Sequence, residues 1–262
     1  MKLLEYVSET MNMSAFEARG VILAGKVYIN EEICTAYKYD IKENDNVDIR
    51  YFEKKYVTRS GLKLEKAIEV FEIDINEKTC IDIGASEGGF TDCLLQNGAK
   101  RVYAVDVAYG IFNWKLRTND KVVVLERTNA RYLSEDKVSE KCDVITIDVA
   151  FISIETILPN VKKFLKENGS IVALFKPQFE LPKKCLKKNG NVDKPDYIVE
   201  KVLETISFLK SNQIYIRQCT VSPIHGNNGN IEFLLYGDIN GNDCIVIGEK
   251  ELSEIVFEAF NN

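Results

Sequence analysis

The segment Cys80-Ile81-Asp82-Ile83-Gly84-Ala85-Ser86-Glu87-Gly88-Gly89-Phe90-Thr91-Asp92 leaves this chain few choices of fold. A short β-branched run climbs to an acid, breaks into a glycine turn and reopens as a helix. That order predicts the first strand-to-helix turn of a Rossmann-like sheet, where backbone amides at a helix N-terminus receive an anionic group of a ligand. The sequence after Thr58 then reads as the sheet built around this turn, and the sequence before Arg50 as something added to it.

The pattern downstream fits. Apolar positions Leu64, Ala67, Ile68 and Phe71 recur at helical spacing ahead of the turn. Strands follow at Val102–Asp106, Val122–Leu125, Val144–Asp148 and Ser170–Lys176, with helices predicted around Leu94, around Trp114, over Ile157, Val161 and Leu165, and from Ile198 to Leu209. Strands alternating with helices imply a parallel, doubly wound sheet. The last two, Ile214–Ile216 and Ile231–Tyr236, lack a helix between them and predict an antiparallel strand at one edge. Beyond Asp238, Leu252, Ile255 and Val256 mark a helix packed on the body.

The first fifty residues have another character. Leu3, Leu4 and Val7 form a short helix face, and Ser14-Ala15-Phe16-Glu17 fits a capping box for a second helix that Gly25 ends. Val27-Tyr28-Ile29 and Val47-Asp48-Ile49 read as strands. The expected organisation is an α+β module over residues 1–50, a linker at 51–58, an α/β domain at 59–239 and a tail at 240–262.

Composition removes several functions. The net charge of −6 gives no bulk attraction to nucleic acid, so any basic surface must be local. The seven cysteines are scattered without a Cys-x-x-Cys pair and read as reduced thiols of a cytoplasmic protein. The single histidine, His225, rules out a His-rich metal site, and no metal is expected. The N-terminus turns acidic at Glu5 without an apolar leader, and no apolar run approaches spanning length.

Two constellations carry chemistry. The glycine turn lacks Gly-Lys-Ser/Thr, and its spacing departs from the dinucleotide fingerprint. Asp82 at the strand end suits an ammonium, and Asp106, ending the next strand, suits a ribose diol. One anion, one ammonium and one ribose describe S-adenosylmethionine. Its contacts are expected at Asp82, Gly84, Ala85, Ser86, Gly88, Gly89, Phe90, Asp106 and Asp148, with Asn129 and Ala130 flanking the adenine. The second constellation is Lys63, Asp148, Lys176 and Glu232, placed at strand ends where open α/β sheets bind ligands. A lysine becomes a base near neutral pH through desolvation or a neighbouring ammonium, and paired carboxylates hold such lysines in place.

The N-terminal residues Ser14, Ala18, Ile22, Gly25, Val27, Ile29 and Asn30 resemble the RNA-binding module of small-subunit ribosomal protein S4, with Ala15 and Glu31 departing from its arginine and glycine. RNA phosphates are expected at Arg19, Lys26 and Lys38, with Arg59 in the larger domain. Ser60-Gly61-Leu62-Lys63-Leu64, the glycine turn, Glu126–Arg131, Asp148–Ser153, Lys176–Glu180 and Gly229–Phe233 together resemble the TlyA family of ribosomal-RNA ribose methyltransferases, also called hemolysin A, within the FtsJ-like group. The resemblance runs to about Asp238. It implies methyl transfer from S-adenosylmethionine to a ribose 2′-hydroxyl of ribosomal RNA, at cytidine, with Lys63, Asp148, Lys176 and Glu232 as the catalytic tetrad and Lys176 as general base. Ribosomal RNA or its subunits are the implied partner. Glu87 stands where the family usually has threonine, and Ala108 where it has glycine. The alternatives are a non-catalytic RNA-binding or ribosome-assembly factor, favoured by Glu87 and the acidic N-terminal module, and a hemolysin.

Overall fold

The structure, a computed structural model, describes residues 1–50, 55–226, 229–241 and 247–261. Part of the expected linker (51–54), Asn227, Asn228 and Cys244 lie outside the described residues. The chain divides into two compact units, Met1–Lys54 and Lys55–Asn262.

In the first unit, helices α1 (Leu3–Thr10) and α2 (Ala15–Leu23) cover a three-stranded antiparallel sheet ordered β2-β1-β3. The strands are β1 (Val27–Ile29), β2 (Glu32–Ile33) and β3 (Val47–Ile49). The capping box forms as expected: Glu17 N–H donates to Ser14 Oγ, and Ser14 N–H donates to Glu17 Oε2. Leu3, Val7, Ala18, Val21, Ile22, Val27 and Ile29 make the core. The β1–β2 hairpin turns on Asn30 and Glu31, both with positive φ (50° and 73°). A two-residue hairpin needs that conformation, and glycine reaches it without the Cβ penalty that Glu31 bears.

The second unit is a seven-stranded sheet in the order β6-β5-β4-β7-β8-β10-β9. The strands are β4 (Thr79–Ile83), β5 (Arg101–Val105), β6 (Val122–Leu125), β7 (Cys142–Ile147), β8 (Leu165–Phe175), β9 (Tyr215–Val221) and β10 (Phe233–Asp238). Strands β4 to β8 are parallel, and β10 runs antiparallel to both neighbours. The reversed strand therefore lies one place in from the edge, and β9 takes the edge itself. The helices are α3 (Gly61–Val70), α4 (Gly89–Gln96), α5 (Trp114–Arg117), α6 (Ile154–Val161), α7 (Pro177–Glu180), α8 (Pro195–Ser211) and α9 (Glu249–Asn261).

Two apolar layers sandwich the sheet. Ile81, Ile83, Ile145, Ile147, Phe175 and Phe233 face α6, α8 and α9, while Cys80, Val102, Val144, Val172, Leu174 and Leu234 face α3 and α4. Leu165, expected in a helix, instead begins β8, whose exposed Lys166–Asn168 precede its buried stretch. Helical periodicity from Ile157 to Val161 carries one step too far there, because Pro159 and a 3₁₀ turn at Lys162–Phe164 close the helix. Leu252 and Val256 of α9 are buried in the main core, so α9 packs into the body.

Candidate active site

The site lies at the carboxyl ends of the parallel strands, and the glycine turn builds its floor. Gly84, the first residue after β4, has φ +83°. A Cβ there would stand 2.2 Å from the Asp148 carbonyl oxygen, so only glycine lets the ends of β4 and β7 close together. Gly84 and Ala85 N–H groups both donate to Val105 O (2.8 and 3.1 Å), and Asp148 N–H donates to Ile83 O (2.9 Å). The turn then leans on Asp106: Ser86 N–H donates to Oδ2 and Ala108 N–H to Oδ1, both at 2.7 Å. Gly88 N–H closes the turn onto Ala85 O. The amides of Gly84, Ala85, Ser86 and Gly88 are thus spent on the protein itself, against the expectation that the turn offers them to a ligand anion.

Gly88 and Gly89 also pack rather than face the cavity. A Cβ on Gly88 would meet Leu116 at 2.4 Å, and one on Gly89 would meet Ser60 Oγ at 2.0 Å and Thr58 Oγ1 at 2.2 Å. The start of α4 therefore lies hard against Thr58–Gly61, and Asp92 Oδ2 receives Val57 N–H at 2.8 Å. Thr58 and Ser60, hydrogen-bonded to each other at 2.7 Å, reach the cavity wall beside Arg59. Thr58 falls in the segment read as linker and Ser60 in a motif read for Lys63 alone; two hydroxyls flanking an arginine just ahead of Lys63 are the available signal.

Asp82 needs correction. It is fully buried beneath the turn and does not line the cavity, so it cannot meet a ligand's ammonium. Its carboxyl accepts from Thr91 Oγ1 (2.7 Å), Thr146 Oγ1 (3.1 Å) and the Thr91 amide. Burial raises its pKa to about 7 despite those donors. Asp82 ties β4, β7 and α4 together from inside; the acids facing the cavity are Asp106, Asp148 and Glu87.

The four residues of the lysine–carboxylate constellation form two ion pairs. Lys176 Nζ lies 2.5 Å from Asp148 Oδ1 on the cavity wall. Lys63 Nζ donates to Glu232 Oε2 at 2.5 Å, with both side chains buried and off the cavity lining. The fold explains the convergence. Phe175 of β8 pairs with Phe233 of β10, so Lys176 and Glu232 stand opposite one another one step beyond the ladder. Lys63 is delivered from the first turn of α3, and Asp148 directly follows β7.

The cavity holds about 650 Å³, a size suited to a nucleoside-bearing ligand. Asp106, Val107, Asn129, Ala130 and Ile157 line it, together with Thr58, Arg59, Ser86 and Phe90. Each Asp106 oxygen takes one main-chain N–H and keeps a second lone pair. Glu87 is exposed at the wall. Phe151, 89% exposed, stands at the rim with φ +63°. Its ring meets Phe179 at 4.8 Å between centroids, and Glu180 Oε1 accepts from Ile154 N–H at 2.9 Å, so the loop after Asp148 is fastened to the segment after Lys176. Burial raises the Glu180 carboxyl pKa.

In the first unit, the Arg19 guanidinium lies 4.6 Å from the Tyr37 ring centre and Lys38 Nζ lies 5.8 Å from it, so these two cations gather on one aromatic. Lys26 is exposed at the start of β1. Among the described residues no cluster of His, Cys, Asp and Glu could hold a metal ion, and no helix is long and apolar enough to cross a membrane.

Comparison with known proteins decides the family. The FtsJ-like methyltransferase model matches residues 56–239, and the S4 domain model matches residues 1–47. The chain belongs to the FtsJ-like methyltransferase family. It is 42% identical to Hemolysin A of Brachyspira hyodysenteriae, over 90% of this chain and 99% of that protein. It is 36% identical to the 16S/23S rRNA (cytidine-2′-O)-methyltransferase TlyA of Mycobacterium tuberculosis, over 88% of this chain and 87% of that one. A solved Streptococcus thermophilus protein described as "Putative hemolysin" superposes with a TM-score of 0.75 at 34% identity, covering 100% of this chain and 96% of its own. Within this family, then, the seven-stranded unit is a methyltransferase fold joined to an S4 domain.

Proposed function

We propose that this FtsJ-like methyltransferase transfers a methyl group from S-adenosylmethionine to a ribose 2′-hydroxyl of ribosomal RNA, at cytidine, in the cytoplasm. One observation carries the reading: the Lys176–Asp148 pair stands on the wall of the same cavity as Asp106, at the carboxyl ends of the strands. The residues present suit the cofactor. Asp106 has lone pairs for a ribose diol, Val107, Ala130 and Ile157 offer apolar surface for a heterocycle, and Asn129 supplies a polar edge. Thr58 and Ser60 offer hydroxyls, and Arg59 a guanidinium, for a carboxylate or a phosphate.

When bound, the cofactor supplies an electrophilic methyl on a sulfonium that departs as a neutral thioether. Lys176, once it has released its own proton, accepts in its neutral amine form the proton of the attacking 2′-hydroxyl, and Asp148 fixes the amine's direction. The Lys63–Glu232 pair, buried off the cavity lining, ties α3 to the residue that leads into β10. Phe151 and Phe179 give an acceptor nucleobase an aromatic surface beside Lys176, and Arg19, Lys26 and Lys38 meet RNA phosphates. Alignment is the larger share of catalysis, ~7–11 kcal/mol in favourable intramolecular cases, with base catalysis adding roughly 10²–10⁴-fold.

The test is transfer of labelled methyl from S-adenosylmethionine to ribosomal subunits and to naked ribosomal RNA. Lys176→Ala should lose at least ~10²-fold in rate while keeping its fold. Association with RNA but no label from folded wild type on any RNA would replace the enzyme by a non-catalytic RNA-binding factor.

A further inference from the structure

Beyond the cavity, the segment after β5 and the turn after β6 carry large side chains in the solvent. Tyr109, Ile111 and Trp114 follow β5 and Tyr132 follows β6; Trp114 is 73% exposed and Tyr132 75%. A loop held loosely would fold such groups inward, but this one is tied in place. Glu126 Oε1 accepts from Gly110 N–H (2.7 Å) and Arg117 Nη2 (2.6 Å), Arg127 N–H donates to Ala108 O, and Asn113 N–H donates to Glu87 O. The exposed rings are therefore presented on a fixed backbone.

Their companions are cations. The Arg127 guanidinium lies 4.1 Å from the Tyr109 ring centre, and the Arg131 guanidinium 5.3 Å from that of Tyr132. Two acids of the stretch are engaged: Asp106, at the cavity, accepts from Ser86 and Ala108 N–H, and Glu126 accepts from Gly110 N–H and Arg117. Asp120, Glu87 on the nearby turn, and Glu135 and Asp136 after Tyr132 are exposed. Cations stand directly against two of the exposed rings, Arg127 on Tyr109 and Arg131 on Tyr132, in a chain of net charge −6.

We propose that Tyr109, Trp114 and Tyr132, with Arg127 and Arg131, form a stacking platform for unpaired nucleotides of the RNA beside the methylated one. This rests on the ribose-methylation reading and names what lies outside the cavity. Aromatic faces accept any base, and arginines beside them meet the phosphates between bases. The platform holds single strands and excludes duplex, whose bases are already stacked on each other.

The chain has one tryptophan, so its fluorescence reports the platform directly. Single-stranded RNA oligonucleotides should quench Trp114 to saturation, weakening with salt, and a duplex of the same composition should not. In methyl-transfer assays, Tyr109→Ala with Trp114→Ala should raise the KM for RNA roughly ten- to hundredfold, with kcat and cofactor affinity kept. Arg127→Ala should lower the salt dependence of RNA binding. Equal quenching by duplex, or wild-type KM in the double variant, would overturn the platform. So would unchanged Trp114 emission in a wild type that binds and methylates RNA, an outcome that leaves the ribose-methylation reading standing. Quenching by single strands without methyl transfer would support the platform and sink the enzyme instead.

Discussion

Removing Glu232 tests how the second ion pair works. Lys63 and Glu232 are almost wholly buried and 2.5 Å apart, so Glu232→Ala strands an ammonium without its partner. Breaking a buried pair from one side costs about 3–5 kcal/mol. For a domain of this size each kcal/mol lowers Tm by ~2–4 °C, so the expected drop is roughly 6–20 °C. Natural domains hold only ~5–15 kcal/mol in all, so Glu232→Gln, which keeps a hydrogen-bond acceptor, serves as a milder companion. The decisive variant is Lys63→Met with Glu232→Leu, which removes both charges and fills the space. Replacing a buried pair by apolar groups is often neutral or better, so stability should return while methyl transfer stays impaired. Urea denaturation of the three variants gives the energies, and labelled-methyl transfer gives the activity. A loss below 1 kcal/mol in Glu232→Ala, or a double variant as unstable as the single, would refute the buried-pair reasoning. Full activity in a stable double variant would refute the positioning role.

Two further outcomes follow from the glycine turn and the acid beneath it. Asp82 is raised to about 7 by burial, so between its unfolded value of ~3.9 and 7 the native state holds a proton that the unfolded chain releases. Its contribution to stability is complete below the unfolded value and fades as pH rises to 7, by roughly 4 kcal/mol. Asp82→Asn should flatten that slope and be more stable than wild type at pH 8, since the Thr91 and Thr146 hydroxyls can rotate to suit an amide; an unchanged slope in denaturation at pH 4–8 would contradict this. Gly84→Ala should cost ~1–2 kcal/mol for its left-handed backbone alone. Further loss should follow because the new methyl must displace the Asp148 carbonyl, and methyl transfer should fall with Asp148 moved from Lys176; wild-type stability and activity would refute the close approach.

Much of this architecture is written locally. Hydrophobic periodicity and the capping box at Ser14 specify the elements of both units, because local geometry sets the 3.6 and 2 residue repeats and the cap hydrogen bonds. The glycine turn specifies a strand feeding a helix N-terminus, and Lys63, Asp148, Lys176 and Glu232 stand at predicted element ends. What the local pattern lacks is direction. β4 is buried on both faces, so nothing in the alternation shows that Asp82 points into the protein and Asp106 toward the cavity. Only the packing of α4 over the sheet, with Thr91 and Thr146 closing on its carboxyl, decides that. The pairing of the four charged residues is likewise tertiary: it depends on β10 entering antiparallel beside β8, which brings Glu232 across from Lys176 and within reach of Lys63. Thr58 and Ser60 became part of the wall when Gly89 let α4 settle against them. Local sequence thus specifies most of the elements and the chemical groups they carry. Which of those groups face solvent, which face each other and which are buried follows from long-range burial and hydrogen bonding, which local pattern does not encode.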